Sequence, residues 1–352
     1  MGEIKMLIDA WWFNNMQSES QILQPDWSEP KTHIGVYGEL QEISMPLKLN
    51  ICAADAGVIL YEKEFIINSF KHKSDEYEAE ISESGTIFFT AYPKNTNALP
   101  TDIKASVQCE NFTYTQSINC EYATLQGTIA DFSGNPFPAA FELYRLGFVD
   151  NGMCVWSDKN GEYSITVPKG IYNAFYVCDN SYKKTSLENW SWRMIVDQDE
   201  KHDFKVGTGE VYSLCAWANN GGFSTLFIFF RPMFLSTVYS GEYSAEINNK
   251  NFHVTDICPE IDIDDINVTI NGCNLEKISL QRIYETGPEN AMPAYILQTR
   301  RYPENREYST RGKQTLILEY ISNYAKGDID ITATSQGRTQ FFYKDACAFS
   351  FR

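Results

Sequence analysis

The sequence has few of the residues and motifs that mark common classes of enzyme. Only four histidines occur, His33, His72, His202 and His253, and none has the spacing of a zinc site or an H-E-x-x-H motif. A P-loop, a Rossmann fingerprint and a G-x-S-x-G nucleophile motif are also missing. These absences argue against a zinc enzyme, and we expect no cofactor.

Positive charge is scarce as well, because 29 Lys and Arg residues stand against 46 Asp and Glu residues and give a net charge of −17. Phosphate binding needs clustered cations, so nucleic acid and anionic membranes are excluded as partners. No run approaches the ~18 apolar residues of a membrane span, and the first residues lack the apolar core of a signal peptide. We therefore expect a cytoplasmic protein, or a secreted one if a leader has been removed.

The cysteines number nine, are widely spaced and include no C-x-x-C pair for zinc or redox chemistry. Scattered thiols of this kind predict small buried residues in a protein of a reducing compartment. One alternative stays open, in which Cys109 and Cys120 form a disulfide across a hairpin.

The chain is rich in apolar and β-forming residues, with 43% hydrophobic and 14% aromatic residues among 352. That length exceeds one typical domain of roughly 100–200 residues. Short alternating or β-branched runs bounded by turn residues predict strands, for example 61–66, 86–92 and 102–107, and no window shows a sustained helical face. We predict an all-β protein of three tandem β-sandwich domains, residues 1–121, 122–235 and 236–352.

One stretch carries information about a family. Residues 127–141 read G-T-I-A-D-x-x-G-N-P-x-P-A-A-F, and residues 157–172 read S-D-K-N-G-E-Y-S-I-T-V-P-K-G-I-Y. Each segment contains a Gly/Asn turn next to strand-like residues. Tyr163, Ile165 and Val167 fall on one strand face by the two-residue period, so we expect that face to be buried.

This stretch resembles the carboxypeptidase regulatory-like module, a transthyretin-type β-sandwich of seven strands. The resemblance covers about residues 120–180, and the strand pattern continues to about 232. It implies a non-catalytic module with an adhesion, substrate-presentation or folding role beside another domain. The chain departs from the family after Asp179, where an aromatic segment replaces the usual strand end.

That aromatic segment supplies the first candidate ligand site, formed by Tyr182, Trp190 and Trp192. The two tryptophans share a face if residues 189–193 are extended. Exposed aromatic rings with a polar edge can stack on a sugar ring. Burial in a core explains the same pattern, and both interpretations remain open at this point.

A second candidate site is formed by Arg300, Arg301, Tyr302 and Arg306, in a basic segment of this acidic chain that also contains Arg282, Arg311 and Lys313. Planar guanidinium groups suit carboxylate or sulfate, so an acidic sugar has the right charge for this segment. The alternative is that its arginines pair at the surface with acids between Asp256 and Asp265.

Glu260, Asp262 and Asp264 could provide oxygen ligands for Ca²⁺, because they share one face if their segment is a strand. Calcium sites need a tight turn with carbonyl ligands, whereas these acids would be spread along an extended chain. A solvated strand face is favoured, and no metal is predicted.

We therefore predict a non-catalytic binding or assembly protein, with carbohydrate or another protein as the partner. The first alternative is a hydrolase or lyase that acts on an acidic glycan, with the arginines holding the carboxylate and Tyr or His253 moving protons. The second alternative is a purely structural subunit of a larger complex.

Overall fold

The computed structural model describes residues 6–11, 33–40, 44–93, 99–110, 112–145, 153–218, 223–235, 241–256, 258–301, 313–326 and 329–342. Within these ranges the chain is all β, with one turn of 3-10 helix at Ile263–Asp265 and no α-helix. None of the described residues forms a helix long and apolar enough to cross a membrane. The prediction of an all-β fold with little helix is confirmed.

The chain divides into two compact units. One comprises Met1–Leu125, Ile165–Lys169 and Asp197–Glu200, and the other comprises Gln126–Ser164, Gly170–Val196 and Lys201–Arg352.

The first unit contains a β-sandwich of two antiparallel sheets. Its strands are β1 Met6–Trp11, β2 His33–Glu39, β3 Leu47–Asp55, β4 Val58–Ile67, β5 Lys71–Lys73, β6 Tyr77–Ile81, β7 Thr86–Ala91, β8 Asp102–Cys109 and β9 Phe112–Asn119. One sheet has the order β1-β2-β7-β6-β5, and the other has the order β4-β3-β8-β9. Val36 and Phe89 from the first sheet and Leu49 and Val107 from the second are buried in one core.

The remaining strands are β10 Tyr122–Asp131, β11 Ala140–Arg145, β12 Met153–Trp156, β13 Glu162–Pro168, β14 Gly170–Cys178, β15 Asn189–Val196, β16 Glu200–Lys201, β17 Phe204–Val206, β18 Gly209–Trp217, β19 Thr225–Phe234, β20 Gly241–Ile247, β21 Lys250–Asp256, β22 Ile266–Ile270, β23 Cys273–Asn274, β24 Lys277–Thr286, β25 Asn290–Arg300, β26 Lys313–Lys326 and β27 Ile329–Phe342. They form sheets of four, eight and six strands.

The four-stranded sheet, with β10 at its centre, faces strands β11, β12, β14 and β15. Phe141 on β11 lies between the two layers, with ring centroids 4.6 Å from Tyr163, 5.4 Å from Phe175 and 5.3 Å from Phe204. The face predicted to be buried on β13 is buried, because Tyr163 is only 5% exposed and the two aliphatic residues that follow it on that face are equally covered.

The eight-stranded sheet has the order β12-β11-β14-β15-β27-β26-β22-β23, so β15 joins β12, β11 and β14 to the C-terminal strands. The six-stranded sheet has the order β18-β19-β25-β21-β20, and β24 is also paired to β25. Its Phe230 and Leu297 share a core with Leu318 and Phe341 of the eight-stranded sheet. Strands on both sides of the boundary predicted at 235 therefore hydrogen-bond within the same two sheets.

The proposed hairpin disulfide is wrong. Cys109 is paired with Phe112 at the turn between β8 and β9, whereas Cys120 lies at the opposite end and donates its N–H to Thr101. Eight residues of strand separate the two ends, which is roughly 26 Å at ~3.3 Å per residue. The Cys109 sulfur instead lies 3.1 Å from Ser44 Oγ, and all eight cysteines in the described ranges are thiols.

The aromatic core around Phe141 should dominate the stability of the module that contains it. Phe141→Ala removes a fully buried ring and should lower the free energy of unfolding by about 3–5 kcal/mol. Ile171→Ala, on a strand of the same layer but 51% exposed, should cost less than about 1 kcal/mol. Urea unfolding followed by tryptophan fluorescence measures both, and equal losses would contradict this assignment of the core.

Candidate functional site

The candidate site lies on the outer face of strands β12, β11, β14 and β15. Cys154, Glu142, Tyr176 and Trp190 stand directly opposite one another across these four strands and form one row. The neighbouring residues on β11, among them Phe141, point to the other face and fill the core. Because side chains alternate along a strand, the row lies on the face away from that core.

Aromatic rings occupy one end of the row. Trp190 and Trp192 are nearly parallel, with centroids 4.9 Å apart and an interplanar angle of 12°. Tyr212 on β18 meets both of them edge-on, at 5.7 Å from Trp190 and 5.0 Å from Trp192. Tyr144 and Tyr176 continue the cluster, at 6.5 Å and 4.7 Å from Trp190. All five rings are only partly buried.

Glu188 connects the rings through its carboxylate. The indole N–H of Trp190 donates to it at 2.9 Å, and the hydroxyl of Tyr176 donates at 3.1 Å. Tyr182 also hydrogen-bonds to Glu188. The structure therefore brings together all three residues of the first predicted site.

The loop before β15 folds around the Asp179 side chain, which holds Tyr182 in place. One carboxylate oxygen of Asp179 accepts hydrogen bonds from the backbone N–H of Ser181 at 3.0 Å and from the hydroxyl of Ser181 at 2.6 Å. The same oxygen accepts a third from the hydroxyl of Ser186 at 3.3 Å. Lys183 adopts a positive φ of 62° and places its amine 5.0 Å from the Tyr182 ring. Asp and Ser favour such local turns because their short side chains reach nearby backbone donors.

Three carboxyl groups, on Glu142, Glu188 and Glu210, are buried beside these rings, with exposures of 6%, 9% and 3%. Burial raises the pKa of Glu142 to about 7, the charge of Glu188 adds to the rise, and the hydrogen bond from Tyr144 opposes it. Burial also raises the pKa of Glu210 to about 8, again with a contribution from Glu188. A carboxyl group that keeps its proton near neutral pH can donate a hydrogen bond as well as accept one.

The tyrosines around these acids are held in their neutral form. Burial and the neighbouring carboxylates raise the pKa of Tyr144 and Tyr176 far above its ordinary value. Lys183 is a cation that lowers the pKa of Glu210, but burial and Glu188 outweigh it. The site is thus a neutral-to-acidic surface of hydroxyls, carboxyls and aromatic rings, with little cationic character.

Two indole N–H groups near this face are buried and lack a hydrogen-bond partner within the described ranges. They belong to Trp156, at the end of β12, and Trp192, on β15. The same ranges contain no group of three or more His, Cys, Asp or Glu side chains that could hold a metal ion.

The arginines of the second predicted site do not join the first. Arg300 ends β25, and its Nε donates to Glu276 at 2.8 Å in an exposed ion pair. Arg301 is half-buried, and its backbone N–H donates to Ser224. Tyr302 and Arg306 lie outside the described residues. Arg282, from the same basic segment, pairs with the 256–265 acids as the alternative predicted, at 2.8 Å from Asp256 and 3.8 Å from Glu260.

The geometry separates the groups of the proposed acidic-glycan enzyme. His253 pairs with Asn290 at the start of β25, whereas Arg300 ends that strand. Ten residues of strand correspond to roughly 33 Å, so the histidine and the arginine cannot act on one sugar unit.

The acidic segment is not the extended strand that the alternation predicted. Residues 258–262 form no strand, and Ile263–Asp265 make a turn of 3-10 helix. Asp265 accepts a hydrogen bond from the Asp262 N–H at 3.0 Å. Backbone capping by these short acids therefore outweighs the two-residue pattern, and Glu260, Asp262 and Asp264 are each exposed.

Glu142, Glu188, Glu210, Tyr144, Tyr176 and Tyr212 belong to the site but were not predicted from the sequence. Glu142 and Tyr144 carried a usable signal, because they alternate with apolar residues in A-F-E-L-Y and so must leave the core. No pattern connects Glu188 and Glu210 to them, since those acids come from separate strands and loops.

No family model matches the chain, and no curated protein matches it. Similar solved structures include the complex of Dpr2 Ig1-Ig2 with DIP-Theta Ig1-Ig3, at 9% identity and TM-score 0.18, covering 94% of this chain and 98% of that one.

A Streptococcal ancillary pilin shares 11% identity at TM-score 0.19, with 86% of this chain and 94% of the pilin covered. The Bacillus anthracis TIE protein shares 8% identity at TM-score 0.19, with 96% and 73% covered. TM-scores this low carry no argument about function.

The buried acids predict a particular dependence of stability on pH. A carboxyl group whose pKa is higher in the folded than in the unfolded state contributes its full stability below about pH 4.5, and loses it as pH rises through the folded value. Folding stability should therefore decline up to about pH 7 for Glu142 and about pH 8 for Glu210. Glu142→Gln and Glu210→Gln should each reduce this decline by on the order of 3 kcal/mol.

Urea unfolding at pH 5 and pH 8 measures the difference for each variant. Glu162→Gln on β13 is the matched control, because its carboxyl is exposed. A decline in both variants as steep as in the unaltered protein would show that these acids ionise normally.

Proposed function

We propose that this chain is a non-catalytic binding protein whose ligand surface is the outer face of β12, β11, β14 and β15, and that its ligand is a carbohydrate. The observation that carries the proposal is the row that leads from Glu142 through Tyr176 to the stacked pair Trp190 and Trp192. It combines partly exposed aromatic rings with carboxyl and hydroxyl groups on one continuous face.

Sugars need this combination of groups. Their C–H faces are apolar and pack against aromatic rings, while their hydroxyls need both donors and acceptors. The partly exposed hydroxyls of Tyr144, Tyr176 and Tyr182 supply such groups, and the buried carboxylate of Glu188 orients Trp190 and Tyr176 through its hydrogen bonds. Trp192 packs against the neighbouring core and supports the ring of Trp190, on which it stacks.

The charge of the face favours a neutral sugar. A uronate or sulfated glycan would place its anion beside three carboxyl groups, with Lys183 as the cation that acts on them. This differs from the acidic ligand that the arginine segment suggested, and the two ligand classes can be tested separately.

We also propose that the carboxypeptidase regulatory-like module, predicted at 122–235, consists of residues 122–206. The two facing layers around Phe141 support it, as do the turns where Gly134 and Gly161 have φ of +85° and +76°. A module of that kind usually presents or binds rather than catalyses, which agrees with a ligand surface on its outer face.

Binding should depend on Trp190. On a glycan array of neutral and uronate oligosaccharides, the purified chain should bind neutral sugars. Trp190→Ala should weaken this binding about tenfold or more, which corresponds to ~1.4 kcal/mol. Trp217→Ala is the matched control, since Trp217 stacks on Phe227 at 5.7 Å and takes no part in the row.

Arg300→Ala should leave the same signal unchanged, because Arg300 pairs with Glu276 at the end of β25. Binding restricted to uronates and abolished by Arg300→Ala would replace this proposal with the arginine site. Absence of any glycan signal would remove carbohydrate as the ligand.

A further inference from the structure

Edge strands are the parts of a sheet that expose unpaired backbone groups, and proteins usually protect them with charge, proline, irregularity or short length. In this chain, β5, β12 and β23 are short, with three, four and two residues. β18 shows a register shift against β19, and β13 ends in Pro168. The longer edges carry charge, as β4 does with Glu62, Lys63 and Glu64 and β20 with Glu242 and Glu246.

β9 has none of these protections. Its eight residues, F-T-Y-T-Q-S-I-N, include no charge and no proline. Its register with β8 runs from Cys109↔Phe112 to Asp102↔Asn119 without a shift. β1 of the facing sheet comes close to β9, but among the described strands its ladder partner is β2. Among the described strands, β9 is thus a long, regular, uncharged edge.

The hydrogen-bond pattern shows which backbone groups of β9 point outward. The Cys120 N–H donates to Thr101 across the hairpin, so even-numbered residues bond towards β8. Along an antiparallel strand, successive residues direct their backbone groups to opposite sides. The N–H and C=O groups of Thr113, Thr115, Ser117 and Asn119 therefore face away from β8.

β9 is complementary to a second copy of itself. When two β9 strands run antiparallel about a two-fold axis at Gln116, all four outward-facing residues of each strand are paired, which gives about eight backbone hydrogen bonds. Thr115 then faces Ser117 of the other copy, and Tyr114 faces its Ile118. Hydroxyl pairs and aromatic–β-branched pairs are favourable across strands.

β9 is better suited to pair with a second copy of itself than the long edge strands β4 and β20, because it carries no charge. Two β4 strands centred on Lys63 would place Glu62 against Glu64 of the other copy, and two β20 strands centred on Ser244 would place Glu242 against Glu246. Like charges directly opposite one another are destabilising. In a chain with a net charge of −17, β9 allows two copies to approach without opposed carboxylates.

We propose that this protein forms a symmetric homodimer by antiparallel pairing of β9 with β9 of a second copy, centred on Gln116. The pairing continues the β4-β3-β8-β9 sheet into an eight-stranded sheet across the two copies. It also covers Phe112, which is 50% exposed in the single chain and would lie beside Cys120 of the second copy. An interface made by one strand pair is small, so the dimer should depend on protein concentration.

Thr115→Pro tests the pairing with little cost to the single chain. Thr115 directs its N–H outward, so proline removes no bond to β8, and an edge position tolerates it. By symmetry the dimer loses that donor twice, and its dissociation constant should rise about tenfold or more. Thr115→Val keeps the N–H and the β propensity and should leave the dimer intact.

Sedimentation velocity over a range of protein concentrations measures the monomer–dimer equilibrium of both variants. Circular dichroism establishes that each variant is folded. A chain that remains monomeric at the highest concentration would overturn the proposal. A Thr115→Pro protein that dimerises like the unaltered one would also overturn it.

Cross-linking provides a second test that does not depend on a disruptive variant. Gln116→Cys should form a covalent dimer on mild oxidation, because the two Cα atoms at the axis lie about 4.5 Å apart in this register. Thr113→Cys is the matched control, since its two copies are separated by six residues along the strands, or roughly 20 Å. Equal cross-linking of the two variants, or none in either, would refute the register.

Discussion

The parallel pairing of β15 with β27 is the constraint on which the candidate site depends. Trp190 lies opposite Gly337 in this pairing, and β18 passes so close that a Cβ atom at 337 would lie 2.5 Å from Val211 Cγ1. Only glycine avoids that overlap. The close approach brings Tyr212 on β18 edge-on against both tryptophans. Asn189 strengthens the junction by donating to the carbonyls of Lys205 and Gln336, at 2.8 and 3.0 Å.

The polar groups on the outer face make the folded protein less stable than it would be with apolar residues of the same shape at those positions. Buried carboxyl groups are costly even when hydrogen-bonded, and here three of them share one region with little cationic compensation. Each has a hydrogen bond, as in Tyr144 to Glu142 at 2.5 Å and Trp190 to Glu188 at 2.9 Å. Satisfied polar networks fix side-chain positions, and a ligand surface needs fixed positions.

Local features of this fold could be read from the sequence, and contacts between distant segments could not. The predicted strands at 61–66 and 102–107 lie within β4 and β8, and the one at 86–92 covers β7 and one residue beyond it, because alternation and turn residues act over a few positions. The shared face of Trp190 and Trp192 follows from the same period. Their contact with Tyr212 depends on which sheet β18 joins, and the strand pattern along the sequence does not give that. The membership of Glu188 and Glu210 in the site likewise follows only from the pairing of the strands in the folded chain.

The junction between β15 and β27 also determines when the site can form during synthesis. Asn189 and its partner Gln336 are 147 positions apart in the chain. Contacts of such long range close slowly, and a growing chain folds from its N-terminus as it leaves the ribosome. The sandwich of the first unit can therefore complete its core early, whereas the contacts of Trp190 and Trp192 with β27 can form only after β27 has been synthesised. Until that strand emerges, the nascent protein exposes two tryptophans, and in this interval it is open to association with other chains.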